Sequence, residues 1–118
     1  MKITPYQNNL IAEDKAANVD FVVDLNLDDA RLAAIQAVWA SSSSGDAVPL
    51  SGTLELLSSL NGVNFDEITG SSLSVVTASG TTDTQVWSVD PSYKYVRMSW
   101  TAISGSGQID VAAYLKGY

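Results

Sequence analysis

The chain has 118 residues, with six basic and thirteen acidic side chains, a formal charge of −7, and neither cysteine nor histidine. That length suits one domain with a usable core and no covalent staple, and the missing residues remove disulfides, thiolate chemistry, cysteine-based zinc sites and the usual acid/base near neutral pH. The acidic balance opposes phosphate backbones and anionic membranes, so neither nucleic acid nor membrane is expected as a direct partner. No apolar run approaches the roughly 20 residues of a membrane span, and the N-terminus lacks the order of a signal peptide, which predicts a soluble chain made in the cytoplasm.

Residues 1–18 mix polar positions with the short apolar patch Leu10-Ile11-Ala12 and show no sustained period. They read as an extended arm with at most one brief strand, either tucked along the edge of the domain or reaching a neighbouring subunit. Residues 19–118 have the pattern of a folded β-domain. Asp20 to Leu27 alternates, with Phe21, Val23, Leu25 and Leu27 on one face, and predicts a strand. Asp28 to Arg31 breaks the alternation as a turn or a single helical turn. Two readings compete for residues 32–40: Asp28 is able to cap a helix with Leu32, Ile35, Val38 and Trp39 on one face, yet Ile35 to Ala40 ends in β-formers. We favour a strand over Ala33–Ala40.

Ser41 to Pro49 is a serine-rich connector. Ser51 to Leu60 predicts a strand with Leu54 and Leu56 inward, and Asn61-Gly62 predicts a tight hairpin that sets Leu60 against Val63 and Ser58 against Phe65. Two short strands, Ser72–Thr77 and Thr84–Val89, precede the turn at Asp90-Pro91-Ser92. Tyr93 to Ile103 and Gln108 to Lys116 then alternate on either side of Ser104-Gly105-Ser106-Gly107. Read as a hairpin centred on Gly105 and Ser106, they pair Trp100 with Val111 and Met98 with Ala113 on an apolar face. Arg97 then meets Tyr114, and Tyr95 meets Lys116, on the other face.

Few constellations suggest chemistry. Asp24 to Asp29 opens like a calcium loop but lacks the glycine and the distal glutamate that complete one, so no metal is expected. Adjacent Asp66 and Glu67 point to opposite faces of a strand, and no serine has a partner base, so no catalytic residues are assigned. Trp39, Trp87, Trp100, Tyr93, Tyr95 and Tyr114 are the aromatics from which a sugar platform or an interface is built, with Trp100 assigned to the core. Tyr95, Arg97 and Tyr114 form the candidate interface. The bland account there is an exposed arginine stacked on tyrosine.

The motifs Ile35-Gln36-Ala37-Val38-Trp39, Gly52 to Phe65, Tyr95-Val96-Arg97 and Ser104-Gly105-Ser106-Gly107-Gln108-Ile109 make the chain resemble small β-sandwich accessory proteins of tailed-phage virions, of the decoration or head-fibre type. The Tyr-Val-Arg strand is also similar to one in galactose-binding jelly rolls. The resemblance implies a non-enzymatic virion subunit, assembling with copies of itself and with other virion proteins, without a cofactor; the alternative is a carbohydrate-binding module. The fold expected is an all-β, single-domain antiparallel sandwich of jelly-roll type with about eight strands.

Overall fold

The computed structural model describes residues 8–27, 30–42, 48–78, 80–90 and 92–117. Among them are nine strands and no helix: β1 Asn8–Ala16, β2 Phe21–Asn26, β3 Ala30–Ser41, β4 Leu50–Ser59, β5 Asp66–Glu67, β6 Leu73–Thr77, β7 Thr82–Val89, β8 Tyr95–Ser104 and β9 Gly107–Gly117. Sheet I has the order β1-β9-β3-β7. Sheet II has the order β2-β8-β4, with β5 and β6 both pairing the far edge of β4. All pairings are antiparallel. The chain changes sheet at every connection except those from β4 to β5 to β6, and this alternation between two layers is jelly-roll topology.

Period-two alternation explains the core. Ile35, Ala37 and Trp39 on β3 and Ile109, Val111 and Ala113 on β9 face Val23 and Leu25 on β2, Leu54 and Leu56 on β4, and Val96, Met98 and Trp100 on β8. Each fully buried large side chain of this kind stabilises the fold by about 1.5–3 kcal/mol relative to exposure. All three tryptophans also bond from one layer to the opposite layer or its flanking connections. Trp39 Nε1 donates to Thr77 Oγ1 at 2.8 Å, Trp87 Nε1 to the Ser71 carbonyl at 3.2 Å, and Trp100 Nε1 to the Ala17 carbonyl at 2.9 Å.

Three sequence expectations change. Residues 8–16, expected as an arm with one brief strand, form a nine-residue edge strand in register with β9; residues 1–7 lie outside the described residues. β8 and β9 do not form a hairpin. They belong to different sheets, and the residues sorted onto one apolar face look at each other across the core instead of along a ladder. Their connection is a corner: Gly105 has φ +80°, and a Cβ on it would stand 2.5 Å from the Pro49 carbonyl oxygen, while one on Gly107 would run into the Ala40 carbonyl. Glycine is needed there for close approach as well as for positive φ.

The third change is at Asn61-Gly62. β5 pairs Leu57 with Glu67 and Ser58 with Asp66, one residue out of the expected register, which leaves Leu60 and Val63 exposed. A one-residue slip turns a strand over. The cause is local, because Asn61 Oδ1 accepts from the Val63 and Asn64 amides at 2.8 and 2.9 Å and from Ser59 Oγ at 3.0 Å, closing a wider side-chain-capped loop.

Candidate functional site

Neither outer face of the sandwich is used by the core, and each carries part of the expected interface. On sheet II the cross-strand row Asp24, Arg97, Leu57, Glu67 runs through β2, β8, β4 and β5. Arg97 donates to Asp24 through Nε at 2.7 Å and Nη2 at 3.1 Å, a bidentate pair. Its guanidinium carbon lies 4.1 Å from the centre of the Phe65 ring. The hydrogen bonds from Arg97 to Asp24 raise the Arg97 pKa above its already high ordinary value. Tyr95 lies on the same side, against Gly62, with Lys94 Nζ 6.0 Å from its ring centre.

Tyr114 is elsewhere. It sits on the outer face of sheet I, where its neighbours in register are Leu10 on β1 and Ala34 on β3. Tyr95 and Arg97 are therefore brought together and Tyr114 is not, because the β8–β9 pairing that would have joined them does not exist. The stack on tyrosine is replaced by a stack on Phe65, and the arginine's direct partner is Asp24. Of the calcium-like stretch, Asp24 is committed to Arg97, Asp28 and Asp29 lie outside the described residues, and no group of three or more acidic side chains able to hold a metal occurs among those that are described.

The outer face of sheet I is a grid of small, mostly uncharged residues. Its rows across β9, β3 and β7 are Gln108-Ala40-Thr82, Asp110-Val38-Thr84, Ala112-Gln36-Val86 and Tyr114-Ala34-Ser88, the first two continuing onto β1 at Ala16 and Asp14. Val86 is 55% exposed and Tyr114 38%. Between them lies a shallow hollow of about 160 Å³ that Ala34, Gln36 and Ala112 help to line. Charge enters the described side chains of these rows as one acidic pair, Asp14 beside Asp110. Desolvation, then the hydrogen bond and the repulsion from Asp14, push the Asp110 carboxyl above its ordinary value. The sequence signal for this face was present in Ala34, Gln36, Val38 and Val86, which alternate with core residues, but only the pairing order places them side by side.

A second concavity, of about 540 Å³, opens at the end of the sandwich between the β4–β5 and β7–β8 connections. Ser58, Leu60, Asn61, Asn64, Asp66 and Tyr93 are among the residues that line it. Ser92 also lines it, and the Ser92 amide donates to the Asp90 carboxylate at 2.9 Å and is the main cause that holds the Asp90 carboxyl below the ordinary range. Of the six aromatics considered for a platform, Trp39 and Trp100 are buried and Trp87 is half-buried, so an open row of them does not form.

The sequence matches no protein-family model and no curated protein. The fold is similar to that of the K3 cleaved adhesin domain of Lys-gingipain from Porphyromonas gingivalis, with 13% identity and a TM-score of 0.51 over 89% of this chain and 73% of that one. A Bacillus endospore appendage from a family of disulfide-linked pili gives 13% identity and a TM-score of 0.49, covering 96% of this chain and 89% of that one. The Yersinia pseudotuberculosis-derived mitogen gives 14% identity and 0.47, covering 89% and 84%. At such identities the likeness concerns the β-sandwich fold alone.

Proposed function

We propose that the protein is a non-enzymatic structural subunit that works by assembling with further copies of itself, in the setting of a virion accessory protein. The observation that carries the assembly reading is the outer face of sheet I, where Ala34, Val38, Val86, Ala112 and Tyr114 form a low-charge surface on a chain of net charge −7. Val86 and Tyr114 are exposed and Ala34, Val38 and Ala112 half-buried, and a low-charge surface of this kind on an acidic chain suits a contact site. The virion setting draws on the turn and strand motifs of the sequence. Light scattering over roughly 1 µM to 1 mM tests self-assembly, with a mass that rises above the 12.5 kDa of one chain as the expected result. A mass that stays at one chain throughout overturns it.

The hollow lined by Asn61, Asn64, Asp66 and Tyr93 favours a second reading, a carbohydrate-binding module, because amides, a carboxylate and a tyrosine ring around about 540 Å³ suit a small polyhydroxylated ligand. A glycan array separates the two. Binding that Asn64→Ala or Tyr93→Ala abolishes supports the module, and an empty array removes it.

A further inference from the structure

We propose that β7 is the edge through which two copies of this chain join, pairing antiparallel about a two-fold axis so that sheet I continues as one eight-stranded sheet through the pair. This deepens the assembly reading above, on which it rests, by naming the contact.

β7 pairs with β3 in unbroken register from Ala33 opposite Val89 to Ala40 opposite Thr82, and no other described strand lies on its far side. The direction of its free backbone groups comes from the ladder. Ser41 donates its amide to the Thr81 carbonyl and accepts from the Gly80 amide, so the odd-numbered residues of β3 turn their backbone toward β7. The hydrogen-bonded partners are then Trp39 with Asp83, Ala37 with Gln85 and Ile35 with Trp87. Alternation leaves the N–H and C=O groups of Thr82, Thr84, Val86 and Ser88 pointing away from the sheet. Two side-chain contacts agree with this. Asp83 Oδ1 accepts from the Thr84 amide at 3.2 Å, and Gln85 Nε2 donates to the Val86 carbonyl at 3.3 Å. Both are long contacts between neighbouring residues, easily exchanged for a strand partner.

The other edges differ. β1 carries Glu13, Asp14 and Lys15, β2 is six residues long with Asp24 tied to Arg97, and β6 has five residues. Lysine, proline, bulges and brevity are the devices that keep edges from pairing. β7 has eight residues, TDTQVWSV, with no proline, no lysine and Asp83 as its charge, and Thr82 to Val86 are all exposed.

The strand is also self-complementary. With Val86 opposite Val86 of the second copy, Thr84 meets Ser88 on the outer face, and Gln85 meets Trp87 and Asp83 meets Val89 on the inner one. The two Asp83 carboxylates stay apart, every hydrogen-bonded position falls on a residue whose backbone points outward, and about six ladder hydrogen bonds form. The two shallow hollows beside Val86 then lie on one continuous face. The acidic pair Asp14 and Asp110 lies on the two strands remote from β7, so the like charges of the two chains repel mainly at long range.

The test is sedimentation velocity of the full chain across a dilution series, at about 0.05 and 0.5 M salt, for the natural sequence, Val86→Lys, and Ser74→Lys as a control with the same charge change on an exposed position of β6. Circular dichroism verifies that each variant is folded. We expect a dimer that salt strengthens, Val86→Lys to weaken it at least about ten-fold, and Ser74→Lys to leave it no weaker. Hydrogen exchange should show Thr84 and Val86 amides protected only at concentrations where the dimer forms. If the natural chain associates but Val86→Lys behaves like Ser74→Lys, the edge is refuted while self-assembly stands. A monomer under every condition refutes both.

Discussion

Replacing Gly52 with alanine tests how the layers are locked together. A Cβ at this position would lie 2.5 Å from the Thr101 carbonyl oxygen and 2.5 Å from Cζ2 of Trp100, with Cη2 of the same ring also inside contact distance. Thr101 is held opposite Thr53 in the β4–β8 ladder, so its carbonyl has little room to give and the indole must move. Trp100 is 1% exposed and bonds to the carbonyl of Ala17, which is 0% exposed. Crowding a packed core costs about 1–3 kcal/mol. Pulling the indole N–H from a buried carbonyl adds about 1–3 kcal/mol. The expected loss is therefore about 2–6 kcal/mol out of a total near 5–15 kcal/mol, with a melting point lower by roughly 8–24 °C at about 4 °C per kcal/mol. Urea unfolding monitored by tryptophan fluorescence reads this as a shift in midpoint at nearly constant slope. Gly52→Ala combined with Trp100→Phe should cost less than the sum of the two single changes, because both lose the same hydrogen bond and the smaller ring relieves the clash. A loss below about 0.5 kcal/mol for Gly52→Ala, or strict additivity, would refute the reasoning.

Thr77→Val leaves the buried Trp39 indole N–H without its partner and should destabilise by about 1–3 kcal/mol in the same assay. Asn61→Ala removes the acceptor for two loop amides and should cost about 1 kcal/mol, read as a lower thermal midpoint, while also loosening the wall of the end hollow. Asp110→Asn should stabilise the protein at neutral pH. The folded carboxyl is raised above its ordinary value of 3.8, so its ionisation works against the fold. Stability is greatest below the unfolded value and is lost as pH rises through the folded one. Urea midpoints at pH 3 and pH 7 check the sign, since the gain from Asn should be present at pH 7 and vanish at pH 3; an equal gain at both would contradict it.

Alternation in the sequence by itself determined the fold class and which side of β2, β3, β4 and β8 is buried. Val23, Leu25, Leu54, Leu56, Val96, Met98 and Trp100 were all readable as core because a period of two sorts side chains whatever the strand pairs with. The strand over residues 33–40 was legible for the same reason, its β-formers outweighing the helix-like spacing of Leu32 and Ile35. Sheet membership was not legible. An inward face looks the same whether the next strand lies beside it or across the core, so the two runs around Gly105 read as a hairpin when they form the two walls of a corner. The Asn61 loop shows the same limit at the scale of one residue, since a side-chain cap competed with a tight turn and won, turning Phe65 outward onto Arg97. That Tyr95 and Arg97 share a face was legible because they are two apart on one strand, whereas joining Tyr114 to them needed a pairing that does not occur. The low-charge face of sheet I and the open backbone edge of β7 depended wholly on tertiary structure, because adjacency between strands distant in sequence is set by how the chain crosses from layer to layer.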